Sequence, residues 1–311
     1  MWVYHFEKRW IAFWGNAYYN KTKKEVISIL KVQILIENGA AWQMNTDKTN
    51  TNKINFHTHT KRCRHALGEE EDYVKSALRN GLSQLGFSDH APFPDIDLGK
   101  RMLFEELEDY LRTIDELKMK YRSKILLWKG LEIEYLPQYR RYYEELLTKW
   151  GVEYLIMGEH FYIDTLGRRA NIYEVNSSTE EYLAYARTVA EGMWSGFFRI
   201  VAHPDLYMLN PFAWNDDCMK AADLIINTAI ATNTILEYNA NGFRWEQRTY
   251  PDGMRHPYPN STFWQMVAGT PAKVIVGADC HDPAYLWDDA VEQSYRNLQE
   301  LGIKPVREIF M

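Results

Sequence analysis

From Ile54 onward, short runs of apolar residues alternate with longer segments whose apolar residues recur every three or four positions. The short runs have the length of buried strands, and the longer segments have the periodicity of amphipathic helices. Strands that alternate with helices form parallel sheets, because each helix carries the chain back to the start of the next strand. The pattern therefore predicts consecutive βα units.

The apolar runs predict seven strands, which end in Asn55-Phe56, Leu85–Phe87, Trp128–Leu131, Leu155–Gly158, Ile200–Ala202, Ile235–Leu236 and Val274–Gly277. The periodic segments predict helices near Glu69–Arg79, Phe104–Tyr121, Tyr139–Lys149, Thr179–Trp194, Asp216–Ala231 and Trp287–Leu301. Periodicity alone does not separate an open doubly wound sheet from a closed barrel. The residues that follow the strands favour closure.

The first 53 residues do not follow this pattern and are rich in aromatic residues such as Trp2, Trp10 and Trp14. They are an added helix, a mobile tail or sequence upstream of a later start at Met44. A barrel of this class uses about 200–250 residues as one domain. We therefore predict an N-terminal extension of unknown structure at residues 1–53 and a barrel domain at residues 54–311.

Potential metal ligands follow every predicted strand. Seven of the nine histidines lie just beyond a strand end, and only His5 and His256 stand outside this set. In parallel barrels, the loops after the strands converge on one mouth, so these side chains are expected to meet there. Histidines placed by unrelated structural needs would also occur on helices and at the opposite strand ends. The predicted ligands are His57, His59, His65, His90, Glu132, His160, His203, Asp279 and His281.

Two of the strand ends carry ligand candidates two residues apart. In an extended segment, residues i and i+2 point to the same side. His57 and His59 can therefore face one cavity, and so can Asp279 and His281. A polar strand edge would explain the first pair differently, but the residues before it are apolar.

Neutral imidazoles combined with carboxylates suit zinc, iron or manganese, whereas calcium and magnesium prefer oxygen ligands alone. The predicted ligands are too many for one ion, which takes about four to six. A cluster of two or three divalent metal ions follows. Two adjacent ions can activate a shared water and hold both oxygens of an in-line phosphoryl transfer. Glu132 is the candidate for the carboxylate that bridges them.

The composition narrows the range of partners. The chain has 46% hydrophobic and 25% charged residues, a net charge of -6 and a pI near 5.9. These values disfavour a nucleic-acid partner bound through a broad basic face, and no long uncharged apolar run could span a membrane. The three cysteines have no CxxC spacing, which suits a cytoplasmic location. We expect a small-molecule partner and leave the oligomeric state open.

Six segments resemble the motifs of the polymerase and histidinol phosphatase (PHP) superfamily and follow in the same order to the end of the chain. They are Phe56–Thr60, Phe87–Pro92, Gly130–Glu134, Gly158–His160, Ala202–Asp205 and Gly277–His281. Within the superfamily, Cys63–Ala66 and Glu237–Arg244 most resemble the histidinol-phosphate phosphatases.

This resemblance implies a distorted, TIM-like (β/α)7 barrel with a trinuclear metal site at the C-terminal ends of the strands. It also implies three ligand sets. The first is His57, His59, Glu132 and Asp279, the second is Glu132, His160 and His203, and the third is His65, His90 and His281.

The implied activity is hydrolysis of L-histidinol phosphate to L-histidinol and phosphate, in histidine biosynthesis. We expect Arg244 to neutralise the phosphate, because a guanidinium can donate two parallel hydrogen bonds to it; Arg62, Arg64, Arg168 and Arg169 are weaker candidates. Asp205 and His256 could assist the leaving group, although a surface role for each is equally compatible. Candidate contacts to the substrate amine and imidazole are Glu237, Phe93, Tyr238 and Phe243.

Two alternatives remain at this point. One is a PHP-type phosphoesterase that acts on nucleotides or nucleic-acid ends, which the acidic composition disfavours. The other is a non-catalytic member that binds a partner through the same fold. Such a member should have lost several ligands, and the sequence retains the whole expected set.

Overall fold

A sheet of seven parallel strands forms the centre of the fold in a computed structural model that describes residues 53–310 except 175 and 177. The remaining strands form two antiparallel hairpins, β5 with β6 and β9 with β10. The strands are β1 (Ile54–Asn55), β2 (Gln84–Phe87), β3 (Leu126–Ile133), β4 (Tyr154–Met157), β5 (Phe161–Ile163), β6 (Arg169–Asn171), β7 (Ile200–Val201), β8 (Ile235–Asn239), β9 (Arg248–Tyr250), β10 (Gly253–Arg255) and β11 (Val274–Gly277). The order in the sheet is β1-β2-β3-β4-β7-β8-β11.

The first and last strands of the sheet meet just beyond their ends. Thr58 and Cys280 form a parallel bridge, and the His59 amide donates to the Cys280 carbonyl over 3.0 Å. The Asn55 side chain adds a link, because its Oδ1 accepts from the Ala278 amide over 2.8 Å. The predicted distorted (β/α)7 barrel is therefore confirmed, and the alternative of an open sheet is wrong.

Seven α-helices are described, and they connect or follow the strands. All six predicted helices are confirmed to within two residues, except that Phe104–Glu106 at the start of one is a 3-10 helix. The prediction missed one short helix and both hairpins, because short segments show too little periodicity. The helices are α1 (Glu70–Arg79), α2 (Leu107–Tyr121), α3 (Arg140–Thr148), α4 (Glu180–Ser195), α5 (Asp216–Thr232), α6 (Ser261–Val267) and α7 (Asp289–Glu300).

Helix α5 shows how local sequence sets the boundaries. The Asn215 side chain accepts from the amides of Asp217 and Cys218, which satisfies two free donors of the first turn. The acidic residues Asp216 and Asp217 in this turn stabilise the helix, because their negative charges lie at the positive end of its dipole. The helix ends at Asn233, whose φ of 57° is left-handed and turns the chain into β8.

The predicted domain boundary lies beside the first described residue, Lys53. Residues 1–52, which make up nearly all of the predicted extension, lie outside the described residues. None of the described helices has both the length and the apolar character needed to cross a membrane.

Tyr154 fills the interior of the barrel. Its hydroxyl lies 2.9 Å from the carbonyl oxygen of Phe56 and 2.8 Å from that of Phe87, and the side chain is fully buried. Gly86 and Gly130 leave the space for it, since a Cβ at either position would collide with the tyrosine. One side chain thus ties β4 to the ends of β1 and β2.

We expect Tyr154→Phe to destabilise the protein by about 1–3 kcal/mol, because it removes the hydrogen-bonding partner of two buried carbonyls. The free energy of unfolding, measured in urea, tests this. Tyr142→Phe is the matched control: its hydroxyl donates to the single carbonyl of Pro92 over 2.8 Å, so a smaller loss is expected. Equal stability of Tyr154→Phe and the wild-type protein would contradict this account.

Candidate metal centre

The centre of the barrel mouth is occupied by the carboxylate of Glu132, at the end of β3, which is 1% exposed. Its nearest imidazole nitrogen is Nδ1 of His90, 2.9 Å from Oε2. Other histidine nitrogens lie within 3.3–3.8 Å of its two oxygens. These belong to His57, His59, His160 and His203, which follow different strands.

A second carboxylate, Asp279, lies on the other side of the same histidines. Its Oδ1 is 3.2 Å from Nε2 of His59 and 3.5 Å from Nε2 of His57. Ligands held about 2.0–2.1 Å from a tetrahedral ion lie roughly 3.3–3.4 Å apart. The spacing of His57, His59, Asp279 and Glu132 therefore fits the coordination of one cation.

Several of these atoms are buried without a hydrogen-bond partner among the described residues. They include Nε2 of His57, Nε2 of His59 and both carboxylate oxygens of Glu132. Buried polar atoms are normally paired, because desolvation without a partner is costly. A bound cation would satisfy all of them, so the residues present fit a metal centre.

The protonation states differ among the proposed ligands. Burial would lower the pKa of His57 and of His59, but neighbouring carboxylates raise both, that of His59 to about 9, so a bound cation would displace a proton from these rings. Burial alone would raise the pKa of Glu132, but the surrounding imidazoles hold it well below the usual value. Burial and the neighbouring His59 lower the pKa of His90, and the same two causes lower that of His281 to about 3. The carboxylate is therefore anionic and these two imidazoles are neutral, which are the forms that bind metals.

Further carboxylates hold the outer sides of the histidines. Nδ1 of His57 donates to Glu237 over 2.7 Å, and Nδ1 of His160 donates to Glu134 over 3.0 Å. Glu134 is in turn held by two parallel hydrogen bonds from Arg101, of 2.9 and 3.0 Å. Such partners fix the tautomer, so that Nε2 of each ring faces the centre.

The third predicted ligand set lies beside the first. Nε2 of His65 is 2.9 Å from Nε2 of His281, and the rings of His65 and His90 are stacked 5.3 Å apart. Ligand atoms of His59, His90 and His281 also lie within 4.8 Å of one another. The structure thus brings all nine predicted ligand residues to one mouth.

Two predicted substrate contacts on β8 need correction. Glu237 is 1% exposed, and its carboxylate accepts hydrogen bonds from Nδ1 of His57 and from the backbone amide of His203. It therefore supports the proposed ligands, and its predicted contact to substrate is not supported. Tyr238 points to the opposite face of the strand, because successive residues alternate. Its ring packs on Trp264. Its hydroxyl accepts from Asn297 on α7.

The predicted aromatic wall also lies elsewhere. Phe93 is 3% exposed and packs against Tyr139 with ring centroids 4.6 Å apart. Phe243 packs on His256, whose Nδ1 donates to the carbonyl of Trp245 over 2.9 Å. These contacts account for Phe93, Phe243 and His256 as packing and loop-stabilising residues. The structure gives no support for their predicted roles.

Asp205 serves the fold. Its Oδ2 accepts from the backbone amide of Asn260, the residue that caps α6, and from the indole of Trp264 over 3.2 Å. Burial raises the pKa of Asp205 to about 6. Because its oxygen is held by the start of α6, the predicted role at the leaving group is not supported.

Arg244 is not free to bind phosphate. Its guanidinium donates to both oxygens of Asp288, over 2.9 and 3.0 Å. It also donates to the carbonyls of Ala278 over 2.6 Å and Tyr285 over 3.0 Å. Four of its five N–H donors are taken up in this way, so the structure does not support the predicted two-bond contact to phosphate.

Tyr173, which the sequence analysis missed, lies at the mouth. Its side chain is 45% exposed, and its ring lies 6.0 Å from that of His160 with an angle of 14° between the planes. Burial of the hydroxyl and the nearby charges of Asp279, Glu132 and Glu134 raise its pKa. No sequence signal marked it, because it follows a hairpin and not a barrel strand.

We expect Glu237→Gln to weaken metal binding by roughly 10–100-fold, because His57 loses the carboxylate that orients its ring. Metal affinity measured by competition with a chelator tests this. Glu116→Gln on the exposed face of α2 is the control and should bind metal like the wild-type protein. Unchanged affinity in Glu237→Gln would rule out the orienting role.

Solved structures show the same fold. The histidinol phosphate phosphatase of Lactococcus lactis, in a complex with zinc, L-histidinol and phosphate, superposes with a TM-score of 0.62 at 15% identity. The match covers 82% of this chain and 95% of that one.

Sequence comparisons point the same way. A "Probable histidinol-phosphatase" of Deinococcus radiodurans is 28% identical over 255 residues, which are 78% of this chain and 93% of that protein. The "Histidinol-phosphatase" of Bacillus subtilis is 23% identical over 275 residues, or 78% of this chain and 99% of that protein. The family model of the PHP domain matches residues 55–241. This chain therefore belongs to the PHP domain family.

Proposed function

We propose that this chain is a metal-dependent phosphomonoesterase that hydrolyses L-histidinol phosphate to L-histidinol and phosphate. The observation that carries the proposal is the buried carboxylate of Glu132, whose two oxygens, like Nε2 of His57 and Nε2 of His59, have no hydrogen-bond partner among the described residues. The substrate is supported by the relatives named histidinol-phosphatase and by the L-histidinol and phosphate bound to the Lactococcus lactis enzyme.

The nine proposed ligands are enough to hold two or three divalent ions. Zinc, iron and manganese all suit imidazole and carboxylate donors. Bound ions would lower the pKa of water and neutralise charge on the phosphate. Glu132 would be shared between ions, because its Oε2 faces His59 of the first set and its Oε1 faces His160 and His203 of the second. The proposed sets are His57, His59, Glu132 and Asp279; Glu132, His160 and His203; and His65, His90 and His281.

With Arg244 occupied, Arg64 becomes the candidate cation for the phosphate. It precedes His65, and its side chain is 43% exposed. Its Nε donates to the carbonyl of Arg101 over 2.7 Å, and Asp97 lies 3.6 Å from its Nη2. Among the other candidates, Arg62 is paired with buried Glu70 and Arg168 with Asp164. Arg64 thus keeps donors available at the mouth.

The exposed ring of Tyr173 is the candidate wall for the substrate. It stacks beside His160, and its raised pKa keeps the hydroxyl protonated and able to donate to a phosphate or alcohol oxygen. A flat ring at the mouth also suits the imidazole of L-histidinol phosphate.

Three further predictions remain open. The acidic composition supports a small-molecule substrate over nucleic acid. The unpaired cysteines of the described chain agree with a cytoplasmic location. Residues 1–53 as a separate extension remain a prediction.

The purified, metal-loaded protein should hydrolyse L-histidinol phosphate with a kcat/KM about 100-fold or more above its values for nucleoside monophosphates and short oligonucleotides, because a site that pairs with imidazole and amine rejects substrates without them. Phosphate release measures this. Comparable rates on nucleotides would favour the alternative phosphoesterase.

We expect Glu132→Gln to lose more activity than the roughly 10–100-fold that loss of an outer hydrogen-bond partner costs, because it removes a charge shared by the ligand sets. Phosphate release and metal content together measure the effect. Glu116→Gln again serves as control. A fully active Glu132→Gln would refute the central role of this carboxylate.

A further inference from the structure

Two of the proposed metal ligands have backbone conformations that are unfavourable for their residue type. Asp279 has a φ of 43° and His203 a φ of 32°. Such left-handed conformations are unfavourable for a non-glycine residue and persist only where the surroundings hold them. The structure must therefore contain contacts that keep Asp279 in this conformation.

The residue before Asp279 is held at both of its backbone groups. The Ala278 amide donates to Oδ1 of Asn55 over 2.8 Å, and its carbonyl accepts from Nη1 of Arg244 over 2.6 Å. This carbonyl belongs to the peptide plane that joins Ala278 to Asp279. Rotation of that plane changes φ of Asp279, so a fixed carbonyl fixes the conformation.

Arg244 is itself held rigidly. Its side chain is 14% exposed and paired with Asp288, which also caps the start of α7 by accepting from the Val291 amide over 3.2 Å. A further hydrogen bond reaches the carbonyl of Tyr285. The guanidinium therefore connects the turn after β8, the end of β11 and the start of α7 through charge-assisted hydrogen bonds.

The Asp279 side chain then points at the centre. Its Oδ1 faces Nε2 of His59 and of His57, whereas its Oδ2 accepts from the side-chain amides of Asn239 over 3.1 Å and Asn241 over 3.4 Å. The direction of this carboxylate thus depends on the backbone that Arg244 holds.

We propose that Arg244 is a positioning residue that sets the Ala278–Asp279 peptide and so aims the Asp279 carboxylate at the metal centre. It acts through the backbone and does not contact the substrate. This inference rests on the proposed metal centre, but its test requires no substrate.

The experiment compares the full-length wild-type protein with Arg244→Met, which removes every donor and keeps the length of the side chain. Arg255→Met is the matched control. Arg244 lies over the ring of Tyr285 and donates to backbone carbonyls, and Arg255 likewise lies over the ring of Tyr250 and donates to the carbonyl of Met208. Metal-stripped proteins are titrated with Co²⁺, and affinity and the visible absorption spectrum are recorded.

We expect Arg244→Met to bind Co²⁺ roughly 10–100-fold more weakly, with an altered spectrum, because one ligand is misaligned. Arg255→Met should match the wild-type protein in both. In Arg244→Met saturated with metal, the dissociation constant of inorganic phosphate, measured by calorimetry, should stay within about twofold of the wild-type value, because Arg244 makes no phosphate contact.

Wild-type cobalt affinity and spectrum in Arg244→Met would overturn the inference, and so would a large loss of phosphate binding with metal binding intact. If the methionine variant does not fold, Arg244→Lys takes its place. Lysine keeps the charge but cannot reach four acceptors at once, so weaker cobalt binding is again expected. A wild-type protein that takes up no Co²⁺ would overturn the proposed function itself.

Discussion

A carboxylate without compensating positive charge is costly to bury, and Glu132 places this demand at the centre of the barrel. Its neighbours are imidazoles, of which His90 is held neutral by burial and by the adjacent His59. The arrangement thus concentrates metal-binding atoms around buried anions, and the same anions raise the pKa of His57 and His59. Divalent cations bind donors of this kind, so the surrounding contacts fit the proposed metal centre.

The outer contacts follow from the same demand. Neutral imidazoles bind metal in the required direction only if the other ring nitrogen is held, and Glu237 and Glu134 do this for His57 and His160. Each added acid needs its own support, which Arg101 supplies to Glu134. The charge of the centre therefore also determines the contacts of residues that would not touch an ion, such as Glu237, Glu134 and Arg101.

The errors in the predicted site share one cause. Glu237, Tyr238 and Arg244 all lie near the end of one strand, and nearness to a strand end was taken as nearness to the substrate. The alternation of side chains along β8 separates the first two, since Glu237 points inward and Tyr238 outward. For Arg244, no local pattern reveals Asp288, which lies 44 residues further along the chain.

The sequence by itself determined the strands and helices, because their periodicity is local. It also determined the nine candidate ligands, because they follow the strand ends, which converge on one mouth in a parallel barrel. It also determined the pairs at i and i+2, such as His57 and His59. Only the tertiary structure decided which charges pair and which side chains remain open at the mouth. Those pairings depend on contacts between loops that are distant in sequence. The periodicity within one segment contains no information about such contacts.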